Sequence, residues 1–260
     1  MKFATVFLGP ILAWTAAAAI VQLGGRDTAT NLISSRGTTR SAMVAELIKA
    51  NKQGVPKFTL PAAPTKGKKV LKRSLSLETV VDEPGLYKRA HNEPELNEVV
   101  TGTAADTVGI TGLGPCIGII TTFSKVSAGK VNKVAAHLGA AGGPAALTTM
   151  VRAIYSAAAE GGVWEQDLDA GHRPQIHVSY PDAEAEVAAM VKEGEITQAQ
   201  SASMKATLQS VISQVTTDLE SLCTSLDGHC YSQTRVGAKT VGSSMQATAA
   251  GAVTIDGVSM

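Results

Sequence analysis

From Val99 onward the apolar residues switch repeatedly between a two-residue and a 3.6-residue period. That alternation restricts the chain to folds in which strands and helices are interleaved. Residues 99–103 and 107–111 read as short strands. The run 116–123, with Ile117, Ile119, Ile120, Thr121 and Thr122, reads as a buried strand. A turn over 124–130 leads to a strand over 131–138 that pairs back as a hairpin. Pro144 suits the first turn of a helix, and Leu147, Met150, Val151, Ile154 and Ala158 fall at helical spacing before Gly161-Gly162. A strand over 175–180 follows. Pro181 suits the first turn of the next helix, where Asp182, Glu184 and Glu186 place negative charge near the positive end of the dipole. Thr197 with Gln200 resembles a capping box for a long helix to about Cys223, with Met204, Leu208, Val211, Ile212, Val215, Leu219 and Leu222 on one face. Strands over 231–236 and 245–255 close the chain. The expected class is α/β (α+β), with layered sheet structure and flanking helices.

The segment before this pattern differs in kind. Residues 1–89 hold 14 Lys/Arg and 5 Asp/Glu, a net of +9, whereas residues 90–260 hold 9 and 17, a net of −8. Met1 to about Ala19 is apolar after Lys2 and ends in small residues, which reads as a secretory signal peptide rather than a membrane span. Residues 20–89 are basic and interrupted by Pro56, Pro61, Pro64 and Pro84. One helix is expected over about 41–51, on Met43, Val44, Leu47 and Ile48. Two dibasic pairs, Lys72-Arg73 and Lys88-Arg89, match the sites that processing proteases cut in exposed basic linkers. The expected organisation is a signal at 1–19, a removable pro-segment or linker at 20–89, and an acidic domain at 90–260. The basic segment is a candidate to dock on the acidic domain before cleavage. The solvated-linker reading stays open. Secretion to the extracellular space, with no stable membrane anchor after signal removal, is the expected localisation. The acidic domain lacks the basic footprint that nucleic-acid binding needs.

Three cysteines leave one over. Cys223 and Cys230 stand seven residues apart around Asp227-Gly228, a turn signal, and an oxidising route would join them. Cys116 is then a free thiol, in Gly112-Leu113-Gly114-Pro115-Cys116-Ile117-Gly118. Gly112 and Gly114 permit a tight turn whose N–H groups can stabilise an oxyanion. His137, in an apolar setting, lies where the hairpin would bring it beside Cys116. An imidazole or turn N–H groups can ionise such a thiol, from a pKa of about 8.5 to below neutral. The residues alone leave two readings: a nucleophile with its base, or a buried core thiol and a satisfied core histidine. His172, His177, His229 and His91 read as structural or exposed. The cysteine and histidine spacings match no zinc pattern, and no phosphate loop or dinucleotide fingerprint occurs, so no metal or cofactor is expected.

The frame Gly112-Leu113-Gly114-Pro115-Cys116-Ile117-Gly118-Ile119, then a hairpin, then Ala135-Ala136-His137-Leu138, resembles the CheD-type glutamine deamidases, whose fold and Cys–His arrangement are shared with the cytotoxic necrotizing factor toxins. The likeness spans about residues 99–258. Pro115 stands where that family has Ser, and the Cys–His spacing is longer. The resemblance implies that Cys116 attacks a glutamine side-chain amide of a protein substrate, that His137 serves as base and then acid, and that Thr111, nearest to the family's hydroxyl residue, orients His137. It implies a protein glutamine deamidase, as a toxin or effector. A non-catalytic effector that binds a partner protein, and a cysteine peptidase with the same dyad, are the alternatives.

Overall fold

The computed structural model describes residues 39–62, 93–123, 129–160, 173–238 and 242–260. The expected signal at 1–19, the pairs Lys72-Arg73 and Lys88-Arg89, and the glycines at 161–162 lie outside the described residues.

Two sheets and four helices build an α+β fold. The strands β1 (Val99–Thr103), β2 (Val108–Ile110), β3 (Ile117–Phe123) and β4 (Val131–Leu138) come first, after helix α1 (Arg40–Gln53). Helix α2 (Gly143–Glu160), strand β5 (Pro174–Tyr180), and helices α3 (Ala183–Lys192) and α4 (Gln198–Ser225) follow. The chain ends in β6 (His229–Thr234), β7 (Met245–Ala247), β8 (Val253–Ile255) and β9 (Val258–Ser259). One sheet has the order β1-β4-β3-β5-β6, the other β2-β7-β8-β9. All pairings are antiparallel except β5 with β6, which the α3–α4 crossover joins in parallel.

The sheet and helices form three layers, which explains why β3 is buried along its whole length. Ile117, Ile119 and Phe123 on one face of β3 join the main core with Leu147, Met150 and Ile154 of α2 and Leu208, Leu219 and Leu222 of α4. Ile120 on the other face joins Ala135, Leu113, Met245 and Val253 in a second core between the sheets. The capping box forms, with the Thr197 N–H donating to the Gln200 side chain at 2.9 Å. Cys223 and Cys230 form a disulfide, Cα to Cα 6.1 Å, tying the end of α4 to β6.

Several expectations shift. Helix α3 begins at Ala183 because the Asp182 side chain takes the N-cap, accepting from the Glu184 and Ala185 N–H groups at 3.2 and 3.1 Å; Pro181 precedes the helix. The strand expected over 231–236 starts earlier, at His229, and ends at Thr234. The stretch 245–255, which the family resemblance reads as a closing hairpin, is the antiparallel pair β7–β8. The helix expected within the pro-segment is present as α1, capped by Thr39. It is not a separate piece: Val44, Leu47 and Ala50 are buried in the main core, within the compact unit Arg36–Met260. Among the described residues no helix is long and apolar enough to cross a membrane.

Candidate active site

Cys116 immediately precedes β3, and His137 is the penultimate residue of β4, so both lie at one end of the larger sheet. Gly118 is the register partner of His137. Directly paired residues share a sheet face, as do residues two apart, so Cys116, Gly118 and His137 face the second sheet together. A Cβ on Gly118 would meet Met245 Sδ at 2.7 Å and both Leu113 methyls at 2.9 Å. The glycine thus admits these two apolar side chains beside the Cys116–His137 pair.

The turn before Cys116 uses its glycines as expected, with φ of 66° at Gly112 and 33° at Gly114. The Leu113 N–H donates to the Ser243 carbonyl at 3.0 Å, and the Cys116 N–H to the Leu113 carbonyl at 2.6 Å. Neither bond engages the Gly112 and Gly114 N–H groups, the oxyanion donors expected from the sequence. Thr111 is exposed, and its hydroxyl donates to the Glu93 carboxylate rather than to His137. The expectation that Thr111 orients the imidazole does not hold, because its side chain is engaged by the segment before β1.

Both predicted reactive groups are buried, Cys116 at 2 % and His137 at 0 % exposure. Neither ring nitrogen of His137 has a hydrogen-bond partner, so no bond joins it to the Cys116 thiol. Its backbone is fixed instead: the His137 carbonyl accepts from the Asn97 N–H at 2.7 Å and its N–H donates to the Glu98 carbonyl at 3.2 Å. Burial, aided by the charge of Arg235, pushes the His137 pKa down to about 4, while the nearby Pro94 carbonyl opposes the shift without the geometry of a full hydrogen bond. The imidazole is therefore neutral at neutral pH. Burial raises the Cys116 thiol above its ordinary value; Arg235 pulls it down, and Glu46 and Glu186 push it further up. The thiol is held protonated.

Arg235 is the residue that reading the sequence missed. It is 2 % exposed and follows β6. Its Nη2 donates to the Cys116 carbonyl at 2.6 Å and the Gly114 carbonyl at 2.7 Å, and its Nη1 to the Ser179 carbonyl and hydroxyl at 2.9 Å. It fixes the backbone of the cysteine turn and is the nearby positive charge acting on both thiol and imidazole. No local signal marks it; an arginine near the end of the strand expected over 231–236 reads as solvated.

Glu186, read from the sequence as a dipole partner, is fully buried and meets Arg40 of α1 at 3.3 Å. His177 is structural: it is buried in β5, stacked on Tyr231 of β6 with ring centroids 4.9 Å apart, and its pKa falls by burial to about 4. Among the described residues no group of three or more His, Cys, Asp or Glu side chains is arranged to hold a metal ion. Lys133, also fully buried, donates to the carbonyls of Thr103 and Ala249 at 2.9 and 3.4 Å and so ties the two sheets together.

No protein-family model matches the chain, and no curated protein matches it either.

Proposed function

We propose that the chain is a Cys–His protein glutamine deamidase, secreted as a toxin or effector. The observation that carries the reading is the placement of Cys116 and His137 on one face at one end of the β3–β4 pair, behind a glycine turn, with the charge of Arg235 acting on both. The likeness of the 112–119 and 135–138 runs to the CheD-type deamidases, and the layered α+β architecture, support it. The disulfide and a free thiol kept out of solvent suit an oxidising compartment.

In this reading the neutral His137 takes the thiol proton as Cys116 Sγ attacks the amide carbon of a glutamine side chain. The oxyanion forms against the Gly112 and Gly114 N–H groups. The tetrahedral intermediate collapses as His137 protonates the departing ammonia. Water, activated by His137, then hydrolyses the thioester and leaves Glu. Arg235 favours the thiolate and holds the turn in register. The protonated, buried thiol is the resting state, so turnover requires the site to open.

Burial of Cys116 is also the observation that favours a second reading, a non-catalytic effector that binds a partner protein. Intact-mass analysis of a glutamine-rich protein separates the readings. Deamidation replaces an amide NH2 by OH, with no chain cut, and is lost in Cys116→Ala and His137→Gln. A peptidase would release fragments instead. An unchanged substrate, in a folded protein whose Cys116 iodoacetamide labels, rejects both enzyme readings.

A further inference from the structure

Arg235 is a buried cation whose hydrogen-bond acceptors are all neutral. Its Nη1 and Nη2 groups are spent on the carbonyls of Ser179, Gly114 and Cys116 and on the Ser179 hydroxyl. Among the described residues it forms an ion pair with no carboxylate. Burial pulls its pKa down to about 10, while negative charge at Cys116, Glu186 and Asp256 opposes the fall, so the guanidinium stays charged at neutral pH. A buried charge without a partner of opposite sign is costly, and buried charges are ordinarily paired. One donor is also left over: Arg235 Nε is buried and has no hydrogen-bond partner. In the planar guanidinium the Nε–H runs parallel to one Nη2–H, so it leaves on the edge that meets the Gly114 and Cys116 carbonyls.

Two further donors stand on the same face. Ser179 is fully buried and is the register partner of Gly118, so its side chain lies on the face of Cys116 and His137. Its hydroxyl accepts from Arg235 Nη1 and so keeps its own hydrogen to donate. His137 is neutral with both ring nitrogens unpartnered, and one of them carries an N–H. Leu113 and Met245 fill the space over Gly118, between His137 on β4 and Ser179 on β5. We infer that Arg235 and Ser179 form a binding site for a small carboxylate beside Cys116, with the Arg235 Nε–H and the Ser179 hydroxyl donating to its oxygens. A carboxylate carries one charge to match one guanidinium, and its two oxygens take two donors. Its carbon end suits the apolar walls of Leu113 and Met245. Such an ion binds whether or not Cys116 is acylated, so the site goes beyond the deamidase reading. Where that reading holds, the glutamate product is itself such a carboxylate.

The test compares iodoacetate with iodoacetamide as labels of Cys116 in the folded full chain, with glutathione as the reference thiol and near-ultraviolet circular dichroism recorded alongside. The two reagents are close in size and only iodoacetate carries a carboxylate, so the ratio of their rates reports the anion and cancels access. The expected ratio of iodoacetate to iodoacetamide is roughly tenfold or more above that of glutathione, and it falls several-fold in Ser179→Ala with the dichroism retained. A wild-type ratio equal to that of glutathione, or one that Ser179→Ala leaves unchanged, overturns the site. If neither reagent labels the folded protein, the urea midpoint in sodium formate decides, against sodium chloride of the same ionic strength. Formate is expected to raise the midpoint of the wild type and not that of Ser179→Ala. A midpoint that does not rise, or that rises equally in both proteins, overturns the site. A high ratio with no glutamine converted removes the deamidase reading and keeps the carboxylate site; converted glutamine with an ordinary ratio does the reverse.

Discussion

Arg235 donates a 2.6 Å hydrogen bond to the carbonyl oxygen of Cys116, from a position 119 residues away in the chain. With the bonds to Gly114 and Ser179, one buried guanidinium holds three backbone carbonyls at the mouth of β3. Lysine has no planar fork and cannot serve these carbonyls together. Arg235→Lys is expected to lower stability by about 2–4 kcal/mol, since buried carbonyls lose charged donors. Urea unfolding checks this, and a midpoint equal to the wild type's would contradict it.

The cysteine turn depends equally on Gly242. A Cβ there would lie 2.6 Å from Gly112 Cα, and Gly242 has φ of 86°. Both terms are backbone constraints that no rotamer change relieves. Gly242→Ala is expected to cost about 2 kcal/mol or more and to shift the Leu113–Ser243 pairing. Thermal unfolding measures the first effect, and amide exchange at Leu113 the second.

Acid stability reports the buried histidines. His137 and His177 have pKa values depressed to about 4 in the fold, from about 6.5 when unfolded. Each therefore gains a proton on unfolding once the pH falls below about 6.5. Their contribution to stability is fully present above that value and is lost as pH drops toward 4, at about 1.4 kcal/mol per pH unit for each proton. Urea midpoints at pH 7, 6 and 5 should fall progressively. His177→Gln should flatten the slope by about half over pH 6 to 5; an unchanged slope would mean that His177 is protonated in the fold.

Reduction of Cys223–Cys230 offers a separate check on the crossover. The bridge closes a short loop between α4 and β6, and its loss should cost about 2–3 kcal/mol. Cys223→Ser/Cys230→Ser is expected to lower the unfolding midpoint while leaving Cys116 labelling in the folded protein unchanged.

What the sequence disclosed, and what it withheld, follows the range of each interaction. The β3–β4 hairpin was legible because its signal is local: a β-branched run, a short turn, and a second run in register, with Gly118 opposite His137. Helix α4 announced itself through a capping box and a long apolar stripe. Cys116 and His137 came from the same hairpin. The groups that govern their chemistry did not, because their partners are remote: Arg235 lies 121 residues from Gly114, and Arg40 lies 146 from Glu186. Helix α1 was legible from its stripe of Met43, Val44, Leu47 and Ile48, but its place in the main core, where Leu47 and Ala50 pack at 1 % exposure, was not, because its partners are remote in the chain. Thr111 was placed by likeness to a motif alone, and a single contact with Glu93 turns it away.

The central claim is that Cys116 becomes acylated by a glutamine side chain. The folded protein is incubated with a glutamine-containing peptide, quenched in acid, and mapped by mass spectrometry for the peptide that contains Cys116. The account predicts a thioester on Cys116 whose mass is that of the substrate less ammonia, absent when His137 is replaced by Gln. A Cys116 peptide that carries no adduct, in a protein whose thiol iodoacetamide labels rapidly, would contradict it.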